Sequence, residues 1–129
     1  MRDIDLPSTA LYFSIFLIKY YLNYGATMSE TSELQQLQAS ASQAAALLKA
    51  MGHPQRLLIL CILLGQPRTG AGDLARAVGL TPSATSQHLA RMRAEGLIDS
   101  VREGTHVRYM IQNPAVAQLI ATLKTHYCP

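Results

Sequence analysis

The fold is decided by Thr81–Ile98, which reads TPSATSQHLARMRAEGLI. Thr81 is a typical N-cap residue, and Pro82 is a typical first residue of a helix because its ring fixes a helical φ. Gly96 is typical of the residue that follows the last turn of a helix. The stretch therefore predicts one capped helix that runs to about Ala94.

This predicted helix, which we call the reading helix, has two different faces. Side chains that recur at spacings of three and four are expected to pack inward, and they are Thr85, Leu89 and Met92. Polar side chains occupy the opposite face and its flanks, and they are Ser83, Ser86, Gln87, His88 and Arg91. Such a face fits the major groove of DNA, where Gln and Arg bind base edges and Ser binds phosphates. We therefore interpret the segment as a DNA-binding helix.

Three more helices are predicted before the reading helix. Leucine and alanine recur at helical spacing from Ser32 to Met51. Pro54 opens a second helix, Gln55–Leu64, which is apolar almost all round and is expected to be buried. A short third helix covers Asp73–Val78, and Gly79-Leu80 forms the turn that leads into the reading helix.

Two β-like stretches and a last helix follow the reading helix. LIDSVR and HVRYMIQ flank the turn EGT, which has Gly104 at its tip. The polar side chains of this hairpin that are expected near DNA are Arg102, Thr105, His106 and Arg108. Asn113-Pro114 begins a last helix with an apolar stripe. The order of elements predicts a mainly α fold with a β-hairpin, the winged helix-turn-helix.

The composition favours a DNA-binding protein over an enzyme. The net charge of +3 suits a partner that carries phosphate. The sequence has no glycine-rich phosphate loop and no paired acidic site, and a thiol enzyme would need a base near its nucleophile and an oxyanion pocket. We therefore predict that the chain is not an enzyme, and a DNA-binding protein without any sensor stays open as an alternative.

Residues 1–27 differ from the rest of the chain. TALYFSIFLIKYYLNYG is apolar, but Lys19 interrupts it, and it is shorter than the ~20 residues that span a bilayer. Asp3 and Asp5 are atypical of a signal peptide. We interpret residues 1–27 as an extension of unclear role, either a dispensable leader or a misassigned start, with a weak membrane- or partner-binding helix as the alternative. Residues 28–129 are expected to be the DNA-binding and sensor domain, located in the cytoplasm without stable membrane association.

Three segments resemble the ArsR/SmtB family of bacterial repressors. They are HPQRLLIL at 53–60, SATSQHLARMRAEGLI at 83–98 and REGTHVRY at 102–109, and the resemblance extends over about residues 32–129. It implies a homodimer that binds a palindromic DNA operator and blocks transcription until an inducer arrives. By position, Ser86, Gln87 and His88 correspond to the family's DNA-contact triplet, and Arg102, Gly104 and Arg108 correspond to its wing.

The resemblance also implies that the first and last helices of the domain form the dimer interface. These two helices carry the apolar stripes that the periodicity predicts. The residues assigned to the interface are Leu34, Leu37, Ala41, Leu119 and Leu123.

Cys61 and Cys128 are the two cysteines of the chain. A cysteine in a buried helix is often an inert small apolar residue, which is an ordinary explanation for Cys61. Cys128 lies one residue from the end of the sequence, where a thiol contributes little to packing. The contexts LLILC and YCP resemble the persulfide- and sulfide-responsive branch of the family, to which the biofilm growth-associated repressors belong. This resemblance implies that both thiols form one sensor for a reactive sulfur species or an oxidant, and we expect them to be near neighbours.

A metal- or haem-responsive repressor of the same family is the alternative. A thiolate metal sensor has two cysteines in the helix before the reading helix, but AGDLARAVG has none. The last helix offers only His126 beside Cys128, so we predict no metal site. The dipeptide Cys128-Pro129 resembles a haem-regulatory motif, which leaves haem open as a minor alternative to no cofactor.

Overall fold

The structure, a computed structural model, describes residues 7–20, 22 and 31–128. Its helices are α1 (Pro7–Tyr20), α2 (Thr31–Met51), α3 (Pro54–Gly65), α4 (Ala71–Val78), α5 (Pro82–Ala94) and α6 (Pro114–Tyr127). Its strands are β1 (Thr69–Gly70), β2 (Ile98–Glu103) and β3 (His106–Ile111). This order confirms the predicted mainly α fold with a β-hairpin, in which α5 is the reading helix.

The chain divides into two compact units, Met1–Gln43 and Ala44–Pro129, and the division falls inside α2. The first unit contains the apolar helix α1, which lies within the extension that the sequence analysis set apart. The expected boundary between residues 27 and 28 lies outside the described residues. No single helix in the described part of the chain is long and apolar enough to cross a membrane. Helices α2 and α3 meet both conditions only when they are taken together, and the chain bends by 93° between them.

Polar side chains begin three of the helices of the second unit. The Ala84 N–H donates to Thr81 Oγ1 at 3.1 Å, and the Ala115 N–H donates to Asn113 Oδ1 at 2.9 Å. Both caps satisfy an N–H group that the first turn of a helix leaves without a partner, which explains why these helices begin where the sequence predicts. His53 caps α3 in the same way, since its Nδ1 accepts from the Gln55 N–H at 3.2 Å.

The sheet has three strands in the order β1-β3-β2, and all its pairs are antiparallel. The expected hairpin is β2 and β3, joined by Gly104-Thr105, and the φ of 65° at Gly104 is a conformation that favours glycine. Strand β1 was not predicted, because two residues are too short to show the alternation of a strand. It pairs Thr69 with Tyr109 and Gly70 with Arg108, and thereby holds the base of the hairpin against the start of α4.

The core of the second unit lies among the end of α2, helices α3 to α6 and the start of β2. Buried side chains come from every one of these elements, and the largest that are fully buried include Ile59, Leu60, Leu63, Leu74, Leu89, Met92, Leu97, Ile98 and Ile120. Helix α3 is less buried than expected, because Leu58 is 42% exposed. Helices α4 and α5 pack together across a turn at Gly79, whose φ of 72° allows the chain to reverse.

Candidate DNA interface and thiol site

Helix α5 presents the two faces that the sequence predicts. Thr85, Leu89 and Met92 are buried, which confirms that this face packs inward. The Thr85 hydroxyl is satisfied locally, since it donates to the Thr81 carbonyl at 2.9 Å. The exposed polar side chains of the opposite face and flank are Ser83, Ser86, Gln87 and Arg91. Four of the five side chains assigned to the reading helix are therefore free to approach a ligand.

His88, the fifth assigned residue, differs from the other four because it is half-buried. Its ring centroid lies 4.8 Å from that of His53, at the start of α3. Burial lowers the pKa of the His88 imidazole, and the neighbouring His53 and Arg56 lower it further. The ring therefore lies at the contact between the reading helix and α3, a position that periodicity alone did not reveal.

This environment predicts a pH-dependent stability. The pKa of His88 in the folded chain lies below its unfolded value of about 6.5. The unfolded chain then binds more protons, so stability is lost as the pH falls below about 6.5. We expect His88→Gln to show a smaller drop in Tm between neutral and mildly acidic buffer than the parent. His106→Gln, in the exposed wing, is the control, and an undiminished drop in His88→Gln would refute the prediction.

A second contact joins α3 to the end of α5. Arg56 Nη1 donates to the Ala50 carbonyl at 2.9 Å and lies 3.4 Å from Glu95 Oε1. Glu95 is the C-cap residue of α5, and it also lies 3.9 Å from Arg91 Nε. The Arg56 side chain is only 12% exposed, so solvent screens this ion pair less than it screens a surface pair. Arg56 and His53 thus hold two points of the reading helix against α3, a contact that the sequence pattern does not predict.

The wing places its basic side chains in two different environments. Arg102, Thr105 and His106 are exposed beside Gly104 at the tip. Arg108 is half-buried, with its Nε 3.5 Å from Glu103 Oε1, and Arg68 pairs with the same carboxylate. Among the described residues Arg102 has no ion pair, which makes it the freer of the two predicted wing arginines.

The two thiols lie on facing helices. Cys61 is half-buried in α3, Cys128 is exposed at the C-terminal end of α6, and both are free thiols. Helix α6 packs against α3, and the two cysteines line one cavity of about 390 Å³. The other residues that line this cavity are Leu57, Ile120, Leu123, Lys124 and Tyr127. The fold therefore brings together two residues that are distant in sequence, and it surrounds them with mostly apolar groups.

The electrostatic environment of Cys61 opposes ionisation overall. Burial raises the pKa of the Cys61 thiol, and a charge on Cys128 raises it further. Lys124 acts in the opposite direction and lowers the pKa. Because the thiolate is the reactive form, Lys124 is the group near Cys61 that favours reaction.

The residues assigned to the dimer interface are exposed apolar groups. Leu34, Leu119 and Leu123 are each 36% exposed and Leu37 is 44% exposed, while Ala41 is also exposed. Val116 and Ile120, which also lie on α6, are buried in the core. Within the described ranges, no group of three or more His, Cys, Asp or Glu side chains is arranged to hold a metal ion.

Comparison with known proteins identifies the family. Residues 53–100 match the family described as bacterial regulatory protein, arsR family. The HTH-type transcriptional regulator YgaV of Escherichia coli (strain K12) is 67% identical over 98 residues, which are 76% of this chain and 99% of YgaV. The crystal structure of a predicted DNA-binding transcriptional regulator from E. coli is 67% identical, with a TM-score of 0.69 over 73% of this chain and 99% of that one.

Three more distant relatives are named as an activator, a repressor and a homodimeric DNA-binding domain. The transcriptional activator HlyU of Vibrio cholerae is 38% identical over 74% of this chain and 87% of HlyU. The biofilm growth-associated repressor of Xylella fastidiosa is 29% identical over 73% of this chain and 82% of the repressor. A homodimeric winged helix-turn-helix DNA-binding domain from Mycobacterium bovis is 31% identical, with a TM-score of 0.63 over 70% of this chain and 83% of that one. The chain belongs to the ArsR family and is a DNA-binding transcriptional regulator with the winged helix-turn-helix fold.

Proposed function

We propose that the chain is a homodimeric repressor whose operator binding is released when Cys61 and Cys128 react with a persulfide, a polysulfide or another oxidant. The observation that carries the proposal is the single cavity that both thiols line. The similarity to a biofilm growth-associated repressor supports repression but is low, at 29% identity. We assign these activities to residues 28–129 and place the protein in the cytoplasm, where bacterial DNA lies.

For DNA binding we propose the exposed face of α5 together with the wing. Gln87 and Arg91 have the donor groups that bind base edges, and Ser83 and Ser86 suit phosphates. Arg102 and its neighbours at the wing tip would bind the adjacent backbone or minor groove. His88 is the exception among the assigned residues, because its contact with His53 gives it a positioning role on the protein side.

The homodimer is supported by the exposed leucines of α2 and α6. Leu34, Leu37, Leu119 and Leu123 would be covered if these helices pack against a second copy. Exposed apolar stripes of this kind mark protein–protein contacts. A homodimeric relative from Mycobacterium bovis supports the same assembly. Two copies related by a twofold axis would present two reading helices to the two halves of a palindromic operator.

The reaction that we propose at the thiols needs a sulfur donor that can accept two electrons. With hydrogen trisulfide, one thiolate attacks the central sulfur and releases hydrosulfide, which leaves two added sulfur atoms on that cysteine. The second thiolate attacks the first of these atoms and displaces the outer one as hydrosulfide. Two thiols and one hydrogen trisulfide thus become one trisulfide bridge and two molecules of hydrogen sulfide. The added sulfur lengthens the link, so the site need not have the geometry of an ordinary disulfide.

The contacts of α3 offer a physical route from the thiols to DNA. Cys61 lies on α3, and the N-terminal end of the same helix holds α5 through His53 and Arg56. A covalent link between Cys61 and Cys128 would tie α3 to the end of α6. Because an effector acts through differential contacts in two states, we expect the bridged protein to hold α5 in a position that no longer fits the operator.

The experiment that tests the proposal compares operator binding before and after trisulfide treatment. The operator probe is a duplex that the reduced protein selects from a random pool, and affinity is read by fluorescence anisotropy. We expect the affinity to fall by about 5–150-fold on treatment, which is the usual range of allosteric coupling. The affinity should return when a thiol reductant is added. Unchanged affinity after complete thiol modification would indicate a DNA-binding regulator without a thiol sensor.

Gln87→Ala is expected to relax sequence preference. The substitution removes a base-edge contact worth about 1–3 kcal/mol, and it leaves the buried face of α5 intact. The measurement is the ratio of affinities for the selected operator and for single-base variants of it. Gln118→Ala, on the exposed side of α6, is the matched control. If Gln87→Ala discriminates among the variants as the parent does, α5 does not read bases through this residue.

Arg102→Ala is expected to weaken binding to all sequences alike. A wing arginine near a phosphate releases a counterion on binding, so its loss should reduce the slope of log affinity against log salt by about one per protomer. Arg108→Ala should act in the same direction, although it also removes the ion pair with Glu103. Lys49→Ala, which removes an exposed charge from α2, is the control, and an equal change in slope there would contradict the assignment.

A further inference from the structure

Lys124 is a basic residue of α6 that lines the same two cavities as Cys61. It lines the cavity of about 390 Å³ that contains both thiols. It also lines a second cavity of about 420 Å³, together with Cys61, Ile62, Gly65, Gln66 and Ala77. Cys61 and Lys124 are thus the two residues common to both cavities.

The charge of Lys124 has no carboxylate partner among the described residues. The residue is half-buried, and most of the other side chains that line the two cavities are apolar, the polar groups being the two thiols, Gln66 and the Tyr127 hydroxyl. A cation in such surroundings interacts with a nearby anion more strongly than it would in water, because the effective dielectric constant is lower. A ligand that enters either cavity therefore meets one positive charge beside the Cys61 sulfur.

We propose that Lys124 determines which reagents the thiol site accepts, by binding anionic sulfur donors such as hydropolysulfides next to Cys61. This inference rests on the proposed function and adds to it the chemical class of the inducer. The ammonium group would hold the negative end of the donor while the Cys61 thiolate bonds to its central sulfur. The sulfur–sulfur bond then breaks and hydrosulfide leaves with the electron pair, so the first step is assigned to Cys61 and the second to Cys128.

The positive charge of Lys124 has two effects that serve this role. Its charge attracts an anionic donor, and the same charge lowers the pKa of the Cys61 thiol against the opposing effects of burial and of Cys128. A neutral oxidant gains only from the second effect, whereas an anionic donor gains from both. The proposal therefore predicts selectivity for charge, which a residue with a purely structural role would not produce.

The test measures how fast Cys61 reacts with an anionic and with a neutral disulfide. The protein carries Cys128→Ser, so that Cys61 is the single thiol, and the probes are dithiobis(nitrobenzoate), a dicarboxylate, and dithiodipyridine, which is neutral. We expect Lys124→Met to lower the rate constant for the anionic probe, divided by that for the neutral probe, about tenfold. A change of this size is what one nearby charge produces. Lys124→Arg should keep the ratio of the parent, and Lys49→Met should keep it as a charge-matched control. An unchanged ratio in Lys124→Met would overturn the proposal.

A pH profile gives a second and independent measurement. With the neutral probe, the midpoint of the rate against pH should move upward in Lys124→Met, because the thiolate loses its stabilising charge. An unmoved midpoint would contradict the proximity of the ammonium to Cys61. In the chain with both cysteines, Lys124→Met should need about tenfold more trisulfide to release the operator. The two rate measurements on the Cys128→Ser protein use no DNA, so their failure is distinguishable from a failure of the proposed repressor function, which would appear as operator binding that ignores thiol state.

Discussion

Cys61→Ser and Cys128→Ser should each abolish the release of operator DNA by trisulfide. Both reduced variants should bind the operator within about twofold of the parent, because serine is close in size and neither thiol lies in the proposed DNA interface. The parent should lose about 5–150-fold in affinity on treatment, whereas the variants should lose none. One thiol must attack the donor and the other must displace the outer sulfur, so a single thiol cannot form the bridge.

Mass spectrometry separates this mechanism from unspecific oxidation. The treated parent should carry an internal link that joins the peptides of Cys61 and Cys128 and contains at least one added sulfur atom. Cys61→Ala is a second variant at the half-buried position, in case the hydroxyl of serine disturbs the packing of α3. If a variant that lacks one of the two cysteines still releases the operator fully on trisulfide treatment, the two cysteines do not act as one site.

Leu119→Asp should produce the second large effect, the loss of the dimer. A carboxylate buried in an apolar interface costs several kcal/mol, and each 1.4 kcal/mol is a factor of ten in affinity. We expect a monomer in sedimentation and an operator affinity that is lower by at least about 100-fold, since a monomer binds one half-site at a time. Leu37→Asp in α2 should act in the same way.

Ala121→Asp is the matched control for this prediction. It places the same charge on α6, two residues along the helix and therefore on the opposite side, at a position that is also exposed. This variant should remain dimeric and should bind the operator like the parent. A folded Leu119→Asp protein that stays dimeric, or a monomer that binds the operator with full affinity, would show that α6 does not form the interface.

The fold could be predicted from the sequence because its signals are local. Thr81 and Asn113 accept hydrogen bonds from the first turns of α5 and α6, as their positions before proline indicate. The burial of Thr85, Leu89 and Met92 follows from their spacing. Each of these features depends on residues within a few positions of one another, so one sequence is enough to reveal them.

The candidate sites depend on contacts that no local pattern contains. The contact between His53 and His88 joins α3 to α5, and the ion pair between Arg56 and Glu95 joins the same two helices. The shared cavity of the thiols depends on the crossing of α3 and α6, which the sequence analysis expected from a family resemblance and not from spacing. Lys124 is the exception, because it lies four residues before Cys128, a spacing that brings residues close together at the end of a helix.

The separation of the two surfaces has a consequence for how such proteins diversify. The proposed reading surface lies on α5 and the wing, whereas the thiol cavity is formed by α3 and α6, and no lining residue belongs to both. On the proposed assignments, substitutions at Gln87 or Arg91 would therefore change the promoter that is recognised without altering the compound that is detected. On the proposed function, substitutions around Lys124 would change the detected compound without altering the promoter. The proposed separation would allow promoter choice and inducer choice to evolve independently in this fold.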